Sequence, residues 1–245
     1  ESTVESSPAI IDIDNDGTNE IIFGDYSGKL NICEYDMQDC IQFIADGQIW
    51  SSPAIADIDN DGEIEIVIAS VDKYIYILNS QGELEYSYFT DQFLVGTPAI
   101  GNLDLDPELE IIIGGYVTSG MLFAINHDAT ILPNFPVSIN EKMKKGVALA
   151  DVNFDGIDEI FVGTESDHLY RIESNGTIYN NSPILTTGDK IKFAPIIISF
   201  NPRFIPIVGS HPKVIFANEL FANKNELIAL GLVKTTFLSE VSEII

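Results

Sequence analysis

The stretch SSPAIADIDNDGEIEIVIAS, residues 51–70, decides the fold because it joins a cluster of acidic residues to an apolar run. Asp57, Asp59, Asp61 and Glu65 lie within nine residues, and the residues after Glu65 are apolar and mostly β-branched. Carboxylates this close repel one another, and burying them without compensation is unfavourable. The stretch therefore predicts a cation-binding loop directly before a β-strand.

The same pattern recurs along the chain. Copies begin near residues 6, 51, 96 and 145, and a weaker fifth copy begins near residue 193, so the period is 45 to 49 residues. This period suits four-stranded propeller blades or helical pairs. The β-branched runs and the turns rich in Asn, Asp and Gly favour strands and hairpins. We therefore predict an all-β fold, a β-propeller of four-stranded antiparallel blades with about five blades visible, and a solenoid of β-hairpins as the alternative.

The extent of the propeller is open at this point. Residues 1–245 form either one propeller domain or a piece of a larger propeller of seven or eight blades. The repeat is lost after residue 217, so we expect segment 218–245 to close a blade or to begin another one.

The first four copies carry oxygen-bearing side chains at loop positions 1, 3, 5 and 9, and a backbone carbonyl is available at position 7. Hard oxygen donors of this kind favour Ca²⁺ over zinc or copper, up to four ions in this chain. Position 12 is apolar in each copy, which excludes an EF-hand. Pro107 replaces the loop glycine of the third copy, and Arg203 occupies a ligand position in the fifth. The predicted ligands are Asp12, Asp14, Asp16, Thr18, Glu20, Asp57, Asp59, Asp61, Glu63, Glu65, Asn102, Asp104, Asp106, Glu108, Glu110, Asp151, Asn153, Asp155, Ile157 and Glu159.

The composition limits the partners and the location. The chain has 38 acidic and 12 basic residues and a net charge of −26, which argues against nucleic acid and against an anionic membrane surface. No apolar stretch approaches the length of about 18 residues that a membrane helix needs, so we expect no membrane insertion. Cys33 and Cys40 are the only cysteines, and they form either a local disulfide or two buried thiols.

The repeats resemble the FG-GAP, or VCBS-type, repeats of integrin α-chain propellers and of secreted bacterial proteins. The resemblance covers about residues 6–217 and rests on the motif D-x-D-x-D-G-x-x-E followed by an apolar strand that ends in Gly. Ser-Pro-Ala or Thr-Pro-Ala replaces the Phe-Gly pair expected before the first strand, which favours a bacterial-style secreted or surface protein over a true integrin. The resemblance implies an extracellular location, a role in adhesion or ligand binding, and calcium as a structural cofactor.

Antiparallel order places the acidic loops at one end of each blade and the more variable connections at the other. We expect a protein or carbohydrate ligand at that opposite face, with packing between blades as the alternative role of its aromatic residues. The candidate contacts are Tyr26, Trp50, Tyr74, Phe93, Tyr116 and His168.

Two other functions remain open, namely a structural subunit of a surface layer or appendage and the scaffold of a polysaccharide-active enzyme. We do not expect catalysis in this segment, because the three histidines have no evident nucleophile and no G-x-S-x-G elbow is present.

Overall fold

The regular structure of the chain consists of β-strands. The computed structural model describes residues 2–186, 188–191, 194–200, 203–210 and 213–216, and every helix or strand assigned within them is a strand. Within these residues no helix has the length and apolarity needed to cross a membrane.

The strands form five antiparallel sheets, one for each repeat. Blade 1 contains β1 (Ala9–Ile11), β2 (Glu20–Gly24), β3 (Lys29–Glu34) and β4 (Cys40–Ile44). Blade 2 contains β5 (Ala54–Ala56), β6 (Glu65–Ala69), β7 (Tyr74–Leu78) and β8 (Leu84–Phe89). Blade 3 contains β9 (Ala99–Gly101), β10 (Glu110–Gly114), β11 (Met121–Ile125) and β12 (Val137–Ser138). Blade 4 contains β13 (Ala148–Ala150), β14 (Glu159–Gly163), β15 (His168–Ile172) and β16 (Leu185–Thr186). Blade 5 contains, within the described residues, β17 (Ile196–Phe200), β18 (Arg203–Ser210) and β19 (Lys213–Phe216).

In every blade each strand pairs with the next one along the chain, and blades 1 to 4 confirm the predicted four-stranded antiparallel blades. Blade 5 has three strands within the described residues. The first residue of the fifth copy, Phe193, and the segment 218–245 lie outside the described residues.

The third and fourth strands are joined by turns that need a left-handed residue. Gly82, Ala129 and Gly176 occupy equivalent places in blades 2, 3 and 4, with φ angles of 74°, 63° and 81°. The sequence predicted these turns from their Asn, Asp and Gly residues. Glycine adopts a positive φ at low cost in blades 2 and 4, whereas blade 3 has Ala129 at this place. The turns set the register of the outer hairpins.

The core lies between the blades. All five residues of β6, of β10 and of β14 are buried. For β6 and β10 the reason is that a neighbouring blade covers each face. Ile66 and Ile68 pack with blade 1, whereas Val67 and Ala69 pack with blade 3. This explains why the second strands are continuously apolar and do not alternate with polar residues.

Blade 1 differs because only one of its faces is covered within the described residues. Ile22 is completely buried against blade 2, while Ile21 and Phe23 on the other face are half-buried and Ile10 is 66% exposed. The two predicted extents, a closed ring of five blades and a piece of a larger propeller, differ in what covers this face.

The strand order fixes two chemically different ends. The first strands of blades 2 to 5 contact one another in succession and line the middle of the structure. The acidic loops connect the first and second strands at one end. The turns from second to third strands and the connections between blades lie at the other end, which we call the opposite face.

Candidate metal centres

The four acidic loops wind in nearly the same way. We call residues 12–20, 57–65, 102–110 and 151–159 loops 1 to 4. The fourth residue of each loop has a positive φ, namely 58° at Asn15, 58° at Asn60, 76° at Leu105 and 65° at Phe154. The sixth residue is a left-handed glycine in loops 1, 2 and 4, with φ of 94°, 94° and 91°. Proline fixes φ near −65°, so Pro107 gives loop 3 a different bend at this point.

The aspartates hold this conformation by accepting hydrogen bonds from the loop backbone. In loop 2, Asp57 accepts from the amide of Asp61 at 3.1 Å through Oδ1 and from the amide of Gly62 at 3.0 Å through Oδ2. Asp61 accepts from the amide of Glu63 at 2.8 Å. Loops 1 and 4 have equivalent bonds. The residue at position 7 therefore donates a hydrogen bond within the loop through its backbone amide, while its backbone carbonyl remains the predicted metal ligand.

In each of three loops, the winding brings three carboxylate oxygens to within 4.8 Å of one another. These groups are Asp12, Asp14 and Glu20 in loop 1, Asp57, Asp59 and Asp61 in loop 2, and Asp104, Asp106 and Glu110 in loop 3. Like charges at this distance disfavour each other's ionised form unless a cation compensates them.

The glutamate at position 9 carries the buried carboxylate of each loop. Glu20, Glu65, Glu110 and Glu159 are 4%, 4%, 1% and 3% exposed. In each loop Oε2 accepts a hydrogen bond from the backbone amide at position 2, as between Glu65 and Ile58 at 2.8 Å. This bond fixes the carboxylate at the start of the second strand.

The other carboxylate oxygen of Glu20 has no partner. Glu20 Oε1 is buried and accepts no hydrogen bond from the residues that the structure describes. A cavity of about 230 Å³ opens beside it and is lined by the further carboxylates Asp14, Glu34 and Asp39. A buried, unpaired carboxylate oxygen is costly, so this oxygen marks the place where a cation fits.

Burial also changes the acidity of these glutamates. It raises the pKa of Glu65 to about 7, against the opposing effect of the Ile58 amide bond, and Asp59 adds to the rise. Burial likewise raises the pKa of Glu110 to about 7, and it raises the pKa of Glu20 above its usual range. A bound dication would reverse this shift by favouring the charged form. The donor set, made of carboxylate, amide and carbonyl oxygens, fits Ca²⁺.

Loop 4 differs because the chain supplies its own cation. Arg171 Nη2 lies 3.5 Å from Glu159 Oε1, and the side-chain Nδ2 of Asn153 donates to the same oxygen at 2.7 Å. Burial raises the pKa of Glu159, and Arg171 works in the opposite direction. Arg171 is on the neighbouring strand β15, where it pairs with Phe161. The equivalent residue of blade 2 is the apolar Ile77, which pairs with Val67. The sequence analysis did not identify this residue.

The predicted ligand-face aromatics all lie at the opposite face, but they do not form one group. Tyr26 stacks on Trp50, with ring centroids 5.3 Å apart. Tyr74 packs within blade 2, against Tyr76 and Phe89. The remaining two aromatic rings lie near lysines, Phe93 under Lys73 and Tyr116 under Lys142.

His168 belongs to a separate polar cluster in blade 4. Its Nδ1 lies 2.7 Å from Glu141 Oε1, which also accepts a hydrogen bond from the Tyr170 hydroxyl at 3.1 Å. Thr164 donates to the other oxygen of Glu141 at 2.5 Å. The cluster connects a blade to the loop that precedes it, and Glu141 is the member that the sequence analysis missed.

Cys33 and Cys40 form a disulfide. They are directly opposite each other on β3 and β4, and they are seven positions apart in the chain. The bond ties the outer hairpin of blade 1 together.

We predict that the calcium-free chain becomes less stable as the pH rises from about 4.5 to about 7. Glu65 and Glu110 have raised pKa values when folded, so the folded state retains protons that the unfolded chain has already released. Raising the pH through this range therefore lowers the free energy of unfolding. Urea denaturation in EGTA at several pH values measures this, and the double variant Glu65→Gln/Glu110→Gln should flatten the trend. If the stability of the calcium-free chain rises steadily over this pH range, the raised pKa values of Glu65 and Glu110 are contradicted.

Comparisons with known proteins agree with this architecture. Residues 12–68, which include loops 1 and 2, match the FG-GAP-like repeat family. A search among curated proteins finds no significant match.

Several solved structures have a similar fold. The C-terminal domain of PilY1 from Pseudomonas aeruginosa superposes with a TM-score of 0.58 at 16% identity, over 80% of this chain and 53% of that chain. BBS1N, solved in complex with ARL6DN, superposes with a TM-score of 0.58 at 16% identity, over 85% of this chain and 64% of that chain. BamB from Moraxella catarrhalis superposes with a TM-score of 0.57 at 14% identity, over 88% of this chain and 61% of that chain. The chain thus spans between about half and two thirds of these structures. Residues 12–68 thus match an FG-GAP-like repeat, and the chain is built as a β-propeller of antiparallel blades.

Proposed function

We propose that this chain is an extracellular, calcium-stabilised β-propeller module that binds a protein or carbohydrate ligand in adhesion. Calcium would occupy the acidic loops as a structural ion, and the ligand would bind at the opposite face. The calcium part of the proposal is carried by the buried carboxylate of Glu20, whose Oε1 has no hydrogen-bond partner in the described part of the chain.

The structural role of calcium follows from where the loops are. Each loop joins a first strand to a second strand, and the second strands that follow loops 2, 3 and 4 are completely buried. A cation there neutralises carboxylates that otherwise oppose folding. If a site binds at about 0.1 mM, about 1 mM calcium stabilises the fold by about 1.4 kcal/mol per site. Sites of this affinity are filled outside cells and mostly empty in the cytosol.

The extracellular location is supported by two further features. The Cys33–Cys40 disulfide is of a kind that persists in oxidising compartments. The FG-GAP-like repeat of residues 12–68 is also found in extracellular propellers. The opposite face offers half-buried and exposed aromatic rings, such as Trp50 and Phe93, for ligand contact.

We predict that Glu65→Gln removes one bound calcium ion. Glutamine keeps the size of the side chain and loses the charge, so the variant should be at least as stable as the parent in EGTA and should gain less stability from calcium. Calorimetric titration counts the ions, and thermal unfolding measures the gain. Glu83→Gln changes a carboxylate in a turn outside the loops of the same blade and should change neither quantity. An unchanged ion count in Glu65→Gln would contradict calcium binding at loop 2.

Loop 4 should bind calcium more weakly than the others because Arg171 already neutralises Glu159. Arg171→Met should raise the affinity of this loop about tenfold, or about 1.4 kcal/mol, by removing a cation next to the ion. The same variant should lose stability in EGTA, because Glu159 loses its partner, and should regain it in calcium. Lys73→Met removes one positive charge away from the loops and serves as the control. If both variants behave alike in calcium titrations, Arg171 has no special role at loop 4.

Adhesion can be tested with beads that carry the chain. We expect such beads to be retained under flow on at least one surface in a panel of polysaccharides and extracellular proteins. Retention should require calcium, because calcium holds the blades that form the opposite face. Beads that carry unfolded chain serve as the control. Equal retention in calcium and in EGTA, or none on the whole panel, would contradict the proposed function.

A further inference from the structure

A cavity of about 410 Å³ lies at the opposite face, where the blades converge. Its wall includes Ser7, Ser52 and Thr97, the residues that precede the first strands of blades 1, 2 and 3. The amide of Ser7 donates to Ser52 Oγ at 2.9 Å, and the amide of Ser52 donates to Thr97 Oγ1 at 3.3 Å. These bonds link consecutive blades and hold the hydroxyl groups in a row along the cavity.

The hydroxyl groups in this row can still donate. The oxygens of Ser52 and Thr97 accept from the backbone, and within the described residues neither hydroxyl proton has an acceptor. A hydroxyl group can accept and donate at the same time. The wall therefore offers donors to a ligand that carries oxygen atoms.

The cavity is basic although the protein is strongly acidic. The chain has only 12 basic residues, yet Lys144 and Lys145 both line this wall. In the part of the chain that the structure describes, neither ammonium group has a carboxylate within 4.0 Å, whereas Lys73 is 2.8 Å from Asp91. The acidic member of the wall is Glu5, and its carboxylate accepts a hydrogen bond from the Tyr26 hydroxyl.

Two lysines without a carboxylate partner among the described residues favour an anionic group at this point. Repulsion from the rest of the protein is screened over about 8 Å at physiological ionic strength, so the nearby lysines dominate inside the cavity.

An aromatic ring forms another part of the wall. Trp50 lines the cavity, and its ring is held by stacking on Tyr26 and by a hydrogen bond of 2.7 Å from its Nε1 to Gln48 Oε1. A fixed indole presents a rigid apolar surface beside polar groups, which is how ring-shaped polar ligands are commonly oriented.

We propose that this cavity binds a sugar that carries a carboxylate, that is, a uronic acid unit of an acidic polysaccharide. Lys144 and Lys145 bind the carboxylate, and Trp50 contacts the apolar face of the pyranose ring. The row of hydroxyl groups donates hydrogen bonds to the sugar oxygens. The ring surface and the hydroxyl row favour a sugar over a peptide carboxylate. This inference rests on the proposed function, because it names the ligand class of the opposite face.

The experiment uses the fluorescence of Trp50, the only tryptophan in the chain. Methyl β-D-glucuronide and methyl β-D-glucoside differ only in the carboxylate and are titrated into the calcium-loaded protein. The glucuronide should change the emission of Trp50 and bind at least about tenfold more tightly than the glucoside. A glutamate-containing tripeptide, as the other source of a carboxylate, should bind more weakly than the glucuronide.

The double variant Lys144→Met/Lys145→Met should lose this tenfold preference, while its calcium binding and thermal stability stay unchanged. Lys190→Met removes a lysine that is paired with Glu165 at 3.2 Å and should keep the preference.

Three results would overturn the inference: equal binding of both glycosides, tighter binding of the tripeptide, or a preference that survives in the double variant. If neither glycoside binds but bead adhesion is intact, only the assignment of this cavity as a uronic acid site is overturned. Loss of adhesion to every surface would overturn the proposed function itself.

Discussion

The structure depends on one constraint, the burial of a glutamate carboxylate at the start of the second strand of each of the first four blades. Glu20 and Glu110 are almost completely buried within clusters of carboxylates, and Glu65 is equally buried and is affected by the charge of Asp59. One backbone amide satisfies one oxygen of each, and that is too little to hold a buried negative charge. Under the proposed function, a cation at this point would make the loop and the strand after it compatible with folding.

This constraint also explains how the blades hold together. The second strands of blades 2 to 4 are buried on both faces, so these blades are stable only against their neighbours. The loops that begin these strands lie where two blades meet, as when the amide of Leu109 donates to the carbonyl of Ile58 in the preceding blade at 2.8 Å. Fixing a loop with an ion therefore also fixes the contact between neighbouring blades.

Much of this could be predicted from the sequence because the information is local. The D-x-D-x-D-G loop, the apolar run and the Gly-containing turn are each contained in a few consecutive residues, and their repetition identified the blades. The remaining features depend on contacts between residues far apart in the chain. Arg171 reaches Glu159 from the neighbouring strand, and Glu141 reaches His168 across 27 residues. The cavity combines Trp50 with Lys144 only because the blades converge.

Calorimetric unfolding of the whole chain in calcium, in magnesium and in EGTA at equal ionic strength is the most direct test of the central claim. The account predicts a much higher midpoint temperature in calcium than in EGTA, with only a small effect of magnesium, because the loops offer a flexible oxygen cage and not a strict octahedron. Equal midpoints in the three conditions would show that no ion compensates the buried glutamates, and would contradict the account.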